Sequence, residues 1–414
     1  MRELFSKQIF NQPEFFTNKD FIKIFDKIFK AGGEVALVGG VVRSILLNED
    51  LANEQLSFDL ATNLNSKKLI KIFGDEIKYI EEGLRHGTVI IKSNNFIFEV
   101  TTLRVDTKST GRYSAVIFQN NWKEDSARRD LTINSIYLDI NGKIFDPQMG
   151  TVDLKNNNVK FIGDPRKRIE EDYLRIIRFI RFKIMYDSKV EATTNNAIKQ
   201  NLIGIKKISK ERILVELFKI LNLKSFINLN ESTYLKEIFN LIFPEFANLK
   251  RLVRLKKILN SSKINLNLLL AILLIDKDSN HEYFCHKYNV SNDIKDDLNL
   301  LAKNLKLLQN NKDFFTKDIE KHIYLNDKSH LINLNIINFT ANSKYNLKNF
   351  SEVMKNILKS KTHKFDIDGK YLINKGMREG VLMGKVLKKI EEEWMENNFK
   401  ISDVRVQEII KKNS

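Results

Sequence analysis

The chain has 414 residues, of which 43% are hydrophobic and 29% charged, and it carries a formal net charge of +17. That length and balance belong to a globular chain of several structural units with a sizeable core, and they exclude a disordered or fibrous one. The single cysteine, Cys285, excludes an intrachain disulfide, no apolar run reaches the roughly 18 residues of a membrane span, and the surplus of lysine and arginine favours a polyanionic partner.

Met1 to Gly33 mixes Glu14, Asp20 and Asp26 with lysines and lacks the apolar core of a signal peptide, so a cytoplasmic protein is expected. Phe21, Ile22, Ile24, Phe25, Ile28 and Phe29 recur at helical spacing and predict a helix over 18–31. Val35 to Val38 reads as a buried strand stopped by Gly39-Gly40, with a helix from about Val42. Leu56 to Ala61 is a second strand and Ser66 to Phe73 a helix. His86 to Lys92 and Phe96 to Leu103 are strands joined across Ser93-Asn94-Asn95, a hairpin signal. Beyond Pro165 the strand signals fade, and amphipathic helical runs joined by Lys/Asn-rich connectors such as Asn310-Asn311-Lys312 continue to the end. Cys285 lies near His281 and His286, a spacing that fits packing better than a metal site without a fourth ligand.

A strand that ends in Gly-Gly and enters a helix presents free backbone N–H groups able to hold phosphate oxygens. Gly39 and Gly40 permit close approach, and Arg43 adds a charge-assisted contact to the same phosphates. In the second strand, alternation places Ser57, Asp59 and Ala61 on one face; in the fourth, Glu99 stands between apolar Phe98 and Val100. An acid on such a strand is costly unless paired or metal-bound. Asp59 and Glu99 on neighbouring strands beside a phosphate loop point to a Mg2+ site for phosphoryl transfer. Pairing with an arginine such as Arg104 is the competing reading.

The run Glu171-Asp172-Tyr173-Leu174-Arg175-Ile176-Ile177-Arg178 is predicted to be one helix. Ile169, Tyr173, Ile176, Ile177 and Ile180 share its apolar face, while Arg168, Asp172 and Arg175 gather opposite, extended by Glu171 and Arg178. An Asp/Arg pair at this spacing is commonly a surface salt bridge. Its chemistry also suits base reading, because Arg175 offers only donors and the Asp172 carboxylate only acceptors. Cytosine and adenine each present an unprotonated ring nitrogen beside an exocyclic amine. Guanine and uracil present the inverse, so one pair of side chains accepts C and A and rejects G and U.

These residues resemble the class II CCA-adding tRNA nucleotidyltransferases and the related bacterial poly(A) polymerases, of the DNA-polymerase-β superfamily. The matching segments are Leu37 to Arg43, Phe58 to Thr62, His86 to Thr88, Glu99 to Arg104 and Arg128 to Asn134, followed by Asp146-Pro147, Gly163 to Pro165, Glu171 to Phe182 and Ser209 to Ile213. They run in register over about residues 30–220, and a weaker similarity continues from Gly369 to Gly384. The resemblance implies an α+β protein: a small mixed-sheet nucleotidyltransferase head (1–145), then an elongated all-helical neck (146–222), body (223–360) and tail (361–414). It implies that Gly39, Gly40 and Arg43 hold the triphosphate, that Asp59 and Glu99 bind Mg2+, and that Arg129, Asp130 and Asn134 handle ribose and phosphates. Asp172, Arg175 and Arg178 fall in the nucleotide-selecting neck. Body and tail would bind the tRNA acceptor stem through its backbone.

Two positions depart from the family pattern. Ser57 stands where an Asp-x-Asp metal pair has its first acid, and Ser44 where many members have Asp. A serine hydroxyl is a poor magnesium ligand, and Glu49, Asp50 or Glu54 in the preceding loop are the candidates to replace it. The expected activity is Mg2+-dependent addition of C and A to the tRNA 3′ end from CTP and ATP. Poly(A) addition by the same site, or a catalytically weakened tRNA-binding homologue, are the alternatives.

Overall fold

The structure is a computed structural model and describes residues 13–49, 57–78, 87–94, 96–106, 116–118, 120–259, 264–311 and 313–413. Of the positions considered above, residues 1–12, Asp50, Glu54, Leu56, His86, Asn95 and Lys312 lie outside the described residues. The chain divides into two compact units, Met1–Leu229 with Glu237–Ile242, and Asn230–Lys236 with Phe243–Ser414.

The first unit is built on a mixed sheet. Its strands are β1 (Val35–Val38), β2 (Ser57–Thr62), β3 (Ile77–Lys78), β4 (Thr88–Ser93) and β5 (Phe96–Thr102); β6 (Arg104–Asp106) and β7 (Val116–Phe118) form a separate ladder, and β8 (Tyr137–Leu138) and β9 (Ile144–Phe145) complete the set. The main sheet runs β3-β4-β5-β2-β1-β8-β9, with β2 and β5 parallel and the other pairs antiparallel. Ser93 pairs with Phe96, and Asn94 takes a left-handed φ of 47°, which closes the predicted hairpin.

Helix α1 (Lys19–Lys30) is capped by Asn18, whose side chain accepts from the Asp20 N–H at 2.8 Å, and it lays Phe21, Ile24, Phe25 and Ile28 on the sheet. Phe15, Phe21, Phe58, Phe96 and Phe98 interlock there with ring centroids 5.0–6.1 Å apart. Burial of each such ring contributes roughly 2–3 kcal/mol. Because Phe58 and Leu60 face this cluster, alternation turns Ser57, Asp59 and Ala61 to the other side. There Ala61 joins Ala36, Val38, Trp122 and Tyr137 in a second core, and Asp59 is left at its open end.

Helices α2 (Gly40–Leu46), α3 (Ser66–Phe73) and α4 (Trp122–Arg128) flank the sheet, and α5 (Gly150–Lys155) packs on the turn Thr132–Asn134. The helical stem follows as α6 (Pro165–Glu171), α7 (Leu174–Tyr186), α8 (Ala192–Asn201) and α9 (Lys210–Leu221). Pro165 at the first position of α6 has no N–H to lose, and the Asp164 carboxylate caps the Lys167 N–H at 2.8 Å.

The predicted single helix over Glu171–Arg178 is broken. Asp172 is extended (φ −156°, ψ 107°), and its Oδ1 accepts from the Leu174 N–H at 3.1 Å. The short carboxylate thus competes with helical hydrogen bonding, ends α6 and opens α7. Ile169, Ile176, Ile177 and Ile180 are buried as the apolar face requires.

In the second unit the helix Leu266–Leu274 buries every residue from Leu268 to Leu274, so it is a central helix wrapped on all sides. Arg251 donates to the Ile272 and Ile275 carbonyls, both at 2.7 Å, and neutralises that helix's C-terminal end. Leu372, Met377, Val386, Ile390, Val406, Ile409 and Ile410 make a smaller core from the last helices. No helix among the described residues is long and apolar enough to cross a membrane.

Candidate active site

Gly39 is the N-cap of α2 and Gly40 its first helical residue, two positions earlier than the sequence suggested. Gly39 needs to be glycine twice over. Its φ is +79°, and a Cβ there would sit 2.9 Å from Asp59 Oδ2. Val38 pairs with Asp59 across β1 and β2, so the strand register sets the acid directly against the turn.

Asp59 is in turn the register partner of Glu99 on β5. Both side chains are exposed on the open face, and among the described residues neither has a hydrogen-bond or ion-pair partner. Among the described residues no arginine, Arg104 included, forms an ion pair with either acid. The protein crowded around the Asp59 carboxyl pushes its pKa up, against the opposing pull of Arg129, Arg43, Lys219 and Arg178. Burial likewise pushes Glu99 up, reinforced by the Asp59 charge. Two such oxygen-only groups side by side fit a hard divalent cation, which takes few protein ligands and keeps water in its other positions. Among the described residues no group of three His, Cys, Asp or Glu is arranged to hold a metal ion. Ser57, one alternation further along the face, is exposed and its hydroxyl has no partner among the described residues. Ser44 Oγ donates to Glu49 Oε2 at 2.6 Å, so of the three loop acids Glu49 has a described partner, and Asp50 and Glu54 lie outside the described residues.

Arg43 is buried and curls back along α2. Its Nε donates to the Tyr186 hydroxyl at 3.1 Å, its Nη1 donates to Asn134 Oδ1, and the guanidinium lies 4.7 Å from the Phe182 ring centroid. Its Nη2 makes no hydrogen bond among the described residues and sits 3.8 Å from the position a Gly40 Cβ would take, at the mouth of the glycine turn. Asn134 Nδ2 donates onward to Asp130 Oδ1 at 2.9 Å, and Asp130 Oδ2 is paired with Arg178 Nε at 3.0 Å. Burial opposes the Asp130 charge, but Arg178 and Asn134 outweigh it and hold the carboxyl below the usual range. Arg43, Asn134, Asp130 and Arg178 are therefore brought together in one chain of contacts, closed by Tyr186.

Arg129 is anchored mainly elsewhere, with its Nη1 also reaching the Asn134 carbonyl at 3.5 Å. Its guanidinium pairs with the buried Asp125 at 3.3 Å, donates to the Tyr137 hydroxyl at 3.1 Å, and its charge still reaches Asp59. Burial works against the Asp125 charge, yet Arg129 and Arg128 prevail and lower its pKa, helped by the Tyr137 hydroxyl at 2.6 Å.

Asp172 and Arg175 are not paired with each other. Asp172 Oδ2 is held by Arg212 Nη2 at 2.7 Å, while Arg175 Nη1 donates to Glu171 Oε2 at 2.5 Å and to the Arg168 carbonyl at 2.9 Å. The reading of the two as a mutual surface salt bridge is thereby excluded. Tyr186, Asp125, Tyr137 and Arg212 were not singled out from sequence. Of these only Arg212 lay in a motif, Ser209 to Ile213, and it had no role attached.

A glycine turn set against unpaired strand acids, in a small mixed sheet that feeds a helical stem, defines a nucleotidyltransferase. Residues 35–160 match the model of the poly A polymerase head domain, and residues 189–250 that of the probable RNA and SrmB-binding site of polymerase A. The chain is 32% identical to a CCA-adding enzyme of Ligilactobacillus salivarius over 94% of each chain. It is 30% identical to the mitochondrial CCA tRNA nucleotidyltransferase 1 of Mus musculus, over 99% of this chain and 94% of the other. The crystal structure of the Bacillus stearothermophilus CCA-adding enzyme in complex with CTP shares the fold, with a TM-score of 0.69 and 21% identity over 97% of this chain and 98% of that one. The chain belongs to the CCA-adding tRNA nucleotidyltransferase family, whose chemistry is generally metal-dependent.

Proposed function

We propose that this protein adds C and A to the 3′ end of tRNA, using CTP and ATP and requiring Mg2+, without a nucleic-acid template. The observation that carries the reading is the pair of unpartnered carboxylates, Asp59 and Glu99, side by side in register against the Gly39 turn. Its support includes the relatives' names and the co-crystallised CTP of the Bacillus enzyme.

Asp59 and Glu99 would hold the ion, which when bound offsets the charge that develops on the transferring phosphoryl group. The first N–H groups of α2 and the uncommitted Nη2 of Arg43 hold triphosphate oxygens. Asn134 and Tyr186 keep that guanidinium from swinging away. Asp172 accepts from the exocyclic amine and Arg175 donates to the ring nitrogen through Nε and Nη2, which have no partner among the described residues. The tRNA 3′-hydroxyl attacks the α-phosphorus; that P–O bond forms as the bond to pyrophosphate breaks, the hydroxyl proton passes to solvent, and pyrophosphate leaves. The head (1–145), neck (146–222), body (223–360) and tail (361–414) are the working parts of this reading, with body and tail meeting the acceptor-stem backbone and the +17 charge supplying affinity.

One observation favours a second reading. Ser57 is a neutral hydroxyl where the family pattern carries an acid, which suits a homologue that binds tRNA and adds nucleotides slowly or not at all. Single-nucleotide extension of tRNA lacking its 3′ end decides between them. Label should enter from CTP on tRNA lacking all three nucleotides and from ATP on tRNA already ending in CC, but from neither GTP nor UTP on either, and not at all with Asp59→Asn. Tight tRNA binding with equal, negligible incorporation by wild type and Asp59→Asn would establish the second reading.

A further inference from the structure

Both oxygens of Asp172 are already engaged inside the protein. Oδ1 accepts from the Leu174 N–H at 3.1 Å, a local contact that shapes the corner between α6 and α7. Oδ2 is held at 2.7 Å by Arg212 on α9, a residue 40 positions away, and among the described residues this is the one side-chain contact tying the acid to another element. The Arg212 side chain makes no other hydrogen bond among the described residues and is 53% exposed. An ion pair this exposed adds little to folding. What it does fix is the rotation of the Asp172 carboxylate.

Rotation matters for selection. Accepting C and A while rejecting G and U requires an acceptor from Asp172 placed beside the donors of Arg175. A carboxylate held by the Leu174 N–H alone turns about its terminal bond and lets water take its place. Water both donates and accepts, so it satisfies a carbonyl as readily as an amine. We propose that Arg212 is a positioning residue for nucleotide selection, holding Asp172 in the orientation that accepts from the amine of cytosine or adenine. The inference rests on the reading that Asp172 and Arg175 recognise the base.

The test uses the full chain and 3′-truncated tRNA, with kcat/KM measured for CTP against UTP and for ATP against GTP. Wild type, Arg212→Met, Arg212→Lys and Asp172→Ala are compared, with thermal unfolding as a control. A ratio is insensitive to the fraction of active enzyme, so partial misfolding does not mimic the effect. Arg212→Met should lower both ratios about tenfold, roughly the effect of one charge-assisted hydrogen bond, with an unfolding temperature close to wild type. Arg212→Lys, which keeps the charge but not the planar fork, should recover part of the loss. The proposal is overturned if Arg212→Met keeps the wild-type ratios while Asp172→Ala lowers them, or if Arg212→Met slows all four nucleotides equally. Should Asp172→Ala also keep the wild-type ratios, the base-reading assignment falls and takes the role of Arg212 with it.

Discussion

Replacing Asp59 by Asn should abolish nucleotide addition and yet make the metal-free protein more stable. Asp59 and Glu99 are register partners on adjacent parallel strands, so their backbones lie about 4.8 Å apart. Two negative charges about 5 Å apart repel by about 0.8 kcal/mol at the dielectric of water and about 3 kcal/mol at an effective dielectric of 20. Both side chains are exposed, which places the cost near the lower figure. Although each residue as a whole is exposed, the protein crowded around its carboxyl raises both pKa values, helped at Glu99 by the Asp59 charge and opposed at Asp59 by the surrounding arginines and Lys219, so the folded state disfavours the charged form of each. Removing one charge should raise the unfolding temperature by about 2–4 °C for a unit of this size. The assay is calorimetry of wild type, Asp59→Asn and Glu99→Gln in EDTA and in millimolar Mg2+. In EDTA both variants should melt above wild type, and Mg2+ should stabilise wild type more than either. A variant that melts below wild type in EDTA, with an equal Mg2+ response in all three, would refute the reasoning, because the acids would then be serving the fold.

Three further outcomes follow from the same geometry. Ser57→Asp adds a third acid one alternation from Asp59 on the exposed face; nucleotide addition should speed up and half-saturate at lower Mg2+, whereas a slower enzyme would mean that another acid already fills the place. Gly39→Ala forces a Cβ onto Asp59 Oδ2 in a left-handed backbone, and should cost about 1–3 kcal/mol in denaturant unfolding and most of the activity. Asp125 and Asp130 have lowered pKa values, so their stabilisation is present above the unfolded carboxylate value of about 3.9 and is lost as pH falls through the folded values. Asp125→Asn should therefore destabilise by about 2–4 kcal/mol at pH 7, by leaving Arg129 and Arg128 unpaired, and should differ little from wild type in pH-dependent unfolding near pH 2.

Much of the head was legible because its elements carry local signals. Val35–Val38 and Ser66–Phe73 fall where apolar run and periodicity put them, and period-two alternation was enough to aim Asp59 and Glu99 at the same face. The corner at Asp172 was not legible from periodicity, since the apolar residues on either side of it keep a helical spacing across the break. The signal lay in the side chain itself, an Asp able to accept from the N–H two residues on. The contacts of Arg43 with Tyr186, of Arg129 with Tyr137, and of Asp172 with Arg212 join segments that no spacing rule connects, whereas the Asp125–Arg129 pair sits at helical i,i+4 spacing. They are products of packing, and only the three-dimensional arrangement shows that the residues expected to hold the triphosphate are themselves held.

Whether this site builds C-C-A on tRNA is read from the 3′ ends, by sequencing, of a tRNA lacking its terminal trinucleotide after incubation with the protein, Mg2+ and all four nucleoside triphosphates. The ends should acquire C, C and A in that order and then stop, with no G or U incorporated and no product from Asp59→Asn. Runs of A alone, or ends unchanged despite bound tRNA, would contradict C-C-A addition.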